Sequence, residues 1–119
     1  MSATKTAKTL LASQALAAGG SVNPAEWNMS TAYGGLACVR LTNGASPPTT
    51  APTVKFYVGE STGTKRLIYT ATGDTVANSV TDIPPFEASM PTMYVNITIT
   101  NGATNGITVE AYGQELTGV

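Results

Sequence analysis

The sequence predicts an all-β protein: an antiparallel β-sandwich, jelly-roll-like, with an extended N-terminal arm. Three observations predict it. Runs rich in Thr, Val, Ile and Tyr alternate apolar and polar residues with the two-residue period of a half-buried strand. Gly, Pro, Asn and Asp interrupt these runs at short intervals, which gives about seven to nine strands at the spacing of a sandwich or jelly roll. Only residues 4–18 hold enough Ala and Leu for a helix. There the extended reading is preferred, because Leu10, Ala12, Gln14 and Leu16 share one strand face. The division expected is an arm over 1–20 and a sandwich over 21–119.

Taken in order, residues 26–31 form a short strand with Trp27 and Met29 on one face. Residues 35–42 point Ala37, Val39 and Leu41 one way and Cys38 and Arg40 the other. The segment NGASPPTTAP then breaks the chain, since Pro47 and Pro48 cannot donate to a ladder. Residues 53–58 alternate Val54, Phe56 and Val58 against Lys55 and Tyr57, and 59–64 turn. Residues 65–72 make a strand and 75–80 pair weakly. Residues 83–91, with Pro84, Pro85 and Pro91, are largely irregular. Residues 92–100 are the cleanest strand, with Met93, Val95, Ile97 and Ile99 inward and Tyr94, Asn96 and Thr98 outward. Residues 107–114 close the domain.

Two stretches echo each other, RLTNGASPPTT at 40–50 and TITNGATNGIT at 98–108. Both are turn chemistry. Asn-Gly tolerates the positive φ of a tight turn, so residues 101–106 are expected to close a hairpin between the last two strands. The first stretch opens a longer crossover.

Composition narrows the chemistry. The chain has 119 residues, net charge −1 and 11% charged residues, where roughly a quarter is usual. One domain is expected, with a surface of hydroxyls, amides and backbone. Lys5, Lys8, Arg40, Lys55, Lys65 and Arg66 form no stripe, so nucleic acid is not an expected partner. No apolar run approaches the ~20 residues of a membrane span, and no membrane partner is expected. The lysines and alanines near the start look somewhat like a cleaved leader, but Ser13 and Gln14 interrupt the apolar part and an arm is the reading kept. The single cysteine, Cys38, permits no intrachain disulfide; lying in an apolar run, it is expected to be a buried thiol.

Histidine is absent, which removes the usual general base and the commonest neutral metal ligand. The carboxylates Glu26, Glu60, Asp74, Asp82, Glu87, Glu110 and Glu115 show neither calcium-loop spacing nor any pairing that singles out a glycosidase. No enzyme activity, catalytic residue, metal or cofactor is expected. The tyrosines and Trp27 suit either a sugar-stacking platform or a protein interface. Interfaces are enriched in aromatics, so the second reading is preferred for the outward Tyr57, Tyr94 and Tyr112.

Four segments together resemble small virion proteins of tailed bacteriophages: LLASQALAAGGSV, the W-x-M-S-T-A-Y-G-G that follows, RLTNGASPPTTAPTVKFYVGES and MYVNITITNGATNGITVEAYG. The resemblance spans nearly the whole chain and departs from the commonest pattern at KRLIYTATGD, where a Trp often follows the Lys. It implies a head decoration, or cement, protein on the capsid surface, assembled in the bacterial host cytoplasm. The implied partners are the major capsid protein and further copies of the chain, as a dimer or trimer. A low-copy tail or neck component and a carbohydrate-binding or adhesin module are the alternatives. For the cement reading the partner-binding candidates are Leu10, Leu11 and Leu16 in the arm, Pro47 and Pro48 in the stiff loop, and Tyr57, Tyr94 and Tyr112 on the strands.

Overall fold

A computed structural model describes residues 4–24, 26–59, 65–88, 92 and 94–118. They form β1 (Thr4–Leu16), β2 (Ser21–Val22), β3 (Trp27–Asn28), β4 (Gly35–Asn43), β5 (Thr53–Gly59), β6 (Arg66–Thr72), β7 (Val80–Asp82), β8 (Phe86–Ala88), β9 (Tyr94–Thr100) and β10 (Ile107–Gly118). The first sheet runs β1-β10-β4-β7, with β8 also on β4. The second runs β2-β9-β5-β6, with β3 also on β9. All pairings are antiparallel. Because β2 and β3 share one neighbour and β7 and β8 share another, each pair occupies one strand position. Eight positions wound in this order make a jelly roll.

Alternation decides what fills it. Ala37, Val39 and Leu41 of β4, Val54 and Phe56 of β5, Val95, Ile97 and Ile99 of β9, and Val109 and Ala111 of β10 are buried between the sheets. Each large side chain so placed stabilises the fold by about 1.5–3 kcal/mol. Phe86 stacks on Phe56 with ring centroids 5.0 Å apart. Trp27 is fully buried at one end of the core, with Met29 beside it. The turn expected over 59–64 lies, beyond Gly59, outside the described residues, as does Met93.

The N-terminal segment is extended and runs the length of β10, from Thr4 opposite Gly118 to Leu16 opposite Ile107. Register shifts between Thr9 and Leu11 and between Leu11 and Gln14 break its alternation. Leu10 and Leu11 both pack on the core in consequence, while Ala12 and Gln14 stay exposed. The boundary expected at residue 20 falls in the turn that carries the chain from the first sheet to the second, where Gly19 has φ 68°.

Four local expectations are corrected. Residues 101–106 do not close a hairpin: β9 and β10 lie in different sheets, and the turn crosses between them. The positive φ expected of Asn-Gly is present, at Asn105 (63°). Residues 86–88, expected to be irregular, pair with β4 as β8; prolines just before a short edge strand leave its own donors intact. Pairing over 75–80 begins only at Val80, and the rest is a loop turned at Asn78 (φ 57°). Cys38 is exposed, because the alternation that buries Ala37 and Val39 turns it to the outer face.

The two Thr-Asn-Gly-Ala stretches do matching work. Among the described residues, Asn43 and Asn101 are the buried polar ones. The Asn43 amide donates to the Asp74 and Val76 carbonyls and to Asp74 Oδ1 at 3.0–3.1 Å. The Asn101 amide donates to the Leu16, Ala17 and Asn105 carbonyls at 2.8–3.3 Å. Each thus bonds carbonyls in loops or, at Leu16, at a strand end.

Asp74 gathers the first loop. Ser79 Oγ donates to it at 2.6 Å, and the Val76 amide and Thr81 hydroxyl also bond it. The Ser79 bond, then the Val76 amide, hold its carboxyl below the ordinary 3.8. A depressed native pKa gives stability that is complete above the unfolded value and lost as pH falls through the native one. Thermal melts from neutral to acid pH should therefore show Tm falling below about pH 3.8. In Asp74→Asn that acid limb should be shallower, and an unchanged limb would contradict this role for Asp74.

Candidate binding surfaces

The outer face of the first sheet carries a cluster of three charged side chains. Arg40 on β4 lies opposite Glu110 on β10 and opposite Asp82 on β7, and in antiparallel pairs opposite residues share a face. Its guanidinium forks onto Asp82, Nε to Oδ1 at 2.7 Å and Nη2 to Oδ2 at 3.2 Å. Nε also lies 3.9 Å from Glu110 Oε1. The Arg40 hydrogen bond, followed by its charge, holds the Asp82 carboxyl below its usual range. The Tyr112 hydroxyl donates to Glu110 Oε2 at 3.1 Å, and that bond raises the phenol's pKa. These groups, with Cys38, Ile83 and Pro85, line an open groove of about 410 Å³.

The outer face of the second sheet is different. Ser21, Thr100, Thr53 and Thr72 sit opposite one another in a single row across four strands. Ser21 and Thr100 hydroxyls are 2.9 Å apart. Tyr57 and Tyr94 lie on this face, both half-buried. Lys65 forms an ion pair with Glu26 and holds its ammonium 5.9 Å from the centre of the Tyr94 ring. Tyr112 is on the opposite side of the sandwich, so the three tyrosines do not form one surface. Trp27 is buried, which removes it from any sugar platform.

The other candidates divide by burial. Leu16 and Pro48 are buried inside this chain and offer no surface; Leu10, Leu11 and Pro47 are half-buried. The proline loop is tied to the 101–106 turn. Asn105 Nδ2 donates to the Pro47 carbonyl at 2.9 Å, and the Thr49 amide donates to Thr104 Oγ1 at 3.0 Å. Exposed apolar residues concentrate elsewhere, at Leu67, Ile68, Tyr69, Val76 and Val80 along the edge formed by β6 and the segment into β7. The Arg40–Asp82–Glu110 cluster was not picked out by sequence reasoning. Outward parity marks Arg40, but its partners come from pairing β4 with both β10 and β7, which no local pattern states. Among the described residues no three acidic or cysteine side chains come together as a metal site.

No family model matches the chain, and no curated protein matches it in sequence. Its fold is similar to solved structures. One is a chain of infectious bursal disease virus Gx strain, with TM-score 0.65 and 11% identity over 98% of this chain and 33% of that one. Another is from Bacillus endospore appendages, a family of disulfide-linked pili, with TM-score 0.56 and 17% identity over 100% of this chain and 93% of that one. A third is the SPBc2 prophage-derived protein YomS, with TM-score 0.53 and 17% identity over 97% and 95%. At these identities the likeness establishes the fold.

Proposed function

We propose that the chain is a structural virion protein of a tailed bacteriophage that decorates the head and cements it by bridging major capsid protein subunits. The observation that carries this reading is β1. It is a 13-residue edge strand, exposed over Thr4–Thr9, with no strand beyond it among the described residues. Its free donors and acceptors fit a strand added from a neighbouring subunit. Many copies side by side make weak single contacts sufficient. The apolar β6 edge is the contact between copies in a dimer or trimer. The fold shared with a prophage-derived protein and a viral chain supports the same reading, as do the phage-like segments of the sequence.

The deciding measurement is copy number, by quantitative mass spectrometry of purified particles against the major capsid protein. A ratio near that of the shell lattice is expected. A handful of copies per particle would assign the protein to tail or neck, and absence from particles would end the virion reading.

A deletion tests the arm itself. Removing residues 1–17 would take Leu16 from the core and two carbonyls from Asn101, so loss of fold would mask loss of binding. Removing residues 1–9 spares both. That shorter deletion should lower Tm by only a few degrees, on the order of 1 kcal/mol, and abolish sedimentation with particles. Unimpaired sedimentation would refute the role given to β1.

A further inference from the structure

We propose that the groove on the outer face of the first sheet binds a neutral oligosaccharide. This does not rest on the virion reading. A pyranose ring presents an apolar C–H face and, around its rim, adjacent hydroxyls that donate and accept. The groove offers both counterparts. Tyr112 is 46% exposed in mid-strand. Its hydroxyl reaches Glu110, two residues back on the same strand, so the ring lies along β10 rather than standing into solvent, and a sugar ring can pack against it. Arg40 and Asp82 form a forked pair beside it, with Glu110 close by. Planar donors and acceptors already fixed on one another are preorganised to bond paired hydroxyls without further ordering.

Charge selects the ligand. Two carboxylates face one guanidinium, and Lys8 farther along is paired with Glu115, so the groups along the groove carry a net negative charge that disfavours phosphorylated, sulfated or uronic chains. Shape selects its length. A second depression, of about 210 Å³, continues on the β1 side of Tyr112 and is lined by Lys8, Thr9, Cys38 and Gln114. Together the two make a shallow track across β7, β4, β10 and β1, with Tyr112 in the middle. Such a track suits several sugar units laid across the sheet rather than one enclosed monosaccharide.

The test is an NMR titration of isotope-labelled protein with malto-, cello-, manno-, galacto- and chitohexaose, wild type against Tyr112→Ala, Asp82→Asn and Tyr57→Ala. At least one sugar should shift the amides of Cys38, Arg40 and Tyr112 at millimolar concentration. Tyr112→Ala and Asp82→Asn should each weaken that binding by about tenfold or more, with Tm within a few degrees of wild type. Tyr57→Ala, on the other face, should bind as wild type. No shift with any of the five sugars would overturn the proposal. So would shifts confined to the second sheet's outer face, or unchanged affinity in both Tyr112→Ala and Asp82→Asn.

Discussion

Replacing Trp27 by alanine is expected to cost about 3–5 kcal/mol, the range for deleting a large buried aromatic. The indole belongs to β3 in the second sheet but packs on the first. It meets the chain at Gly35 and Gly113, where an added Cβ would lie 2.9 and 3.3 Å from its ring. Its N–H donates to Glu115 on β10. One side chain thus closes the end of the sandwich, and two glycines on adjacent strands make the seat for it. Alanine would leave a cavity between two sheets, each kept stiff by its own strand pairing and spaced by the remaining core side chains, with little room to collapse. Glu115 would also lose a donor, although Lys8 stays 3.5 Å away. Urea unfolding should show the loss as a lower midpoint with little change in slope. Trp27→Phe, which retains most of the ring but not the N–H, should fall between the two. A loss under about 1 kcal/mol in Trp27→Ala would show that the sheets close without the indole.

The second large effect is at Gly102, and its control lies in the matching stretch. A Cβ on Gly102 would stand 2.1 Å from the Thr50 carbonyl oxygen, which is backbone and cannot rotate away. The Gly102 carbonyl also accepts from the Gly19 amide at 2.7 Å. The methyl of Gly102→Ala would therefore push apart the proline loop and the turn after β1 together. The expected cost is about 3 kcal/mol or more, the upper range for overpacking. Gly44 fills the same position in the first Thr-Asn-Gly-Ala, yet its Cβ would meet nothing within 4 Å. Gly44→Ala should change stability by no more than about 0.5 kcal/mol. Equal losses at both positions, read from denaturation midpoints, would contradict this difference in packing.

The contrast between these glycines shows where sequence reasoning stops. Two-residue alternation on β4, β5 and β9 grouped the core-facing residues correctly, Met93 aside, which lies outside the described residues, because one buried face imposes that period whatever the topology. Asn-Gly announced a tight local backbone, and Asn105 adopts it. Turn chemistry, however, fixes a few dihedral angles and not the sheet that the next strand joins; hence the missed crossing between β9 and β10. The short strand β8 owes its existence to the β4 edge it pairs with, so three residues after two prolines gave no signal of their own. Cys38 was misplaced by weighing the apolarity of its neighbours above its parity. The Arg40 cluster needed strand order, which depends on contacts far apart in the chain.

Strand order has a consequence for how the protein is made. β10, the last of these strands to leave the ribosome, is an inner strand of the first sheet, between β1 and β4. β9, the one before it, lies between β2 and β5 in the second. Until residues 94–118 emerge, β1 and β4 lack the neighbour that joins them, and β2, β3 and β5 lack theirs. Vectorial synthesis can therefore pair β5 with β6 and β4 with β7 and β8, but it cannot complete either sheet before that point. Edges of β1, β2, β4 and β5 stay open until then, and full closure brings Thr4 beside Gly118. A topology so non-local folds on the slow scale of about milliseconds to seconds. During that interval crowded, half-made copies face their greatest risk of pairing with one another.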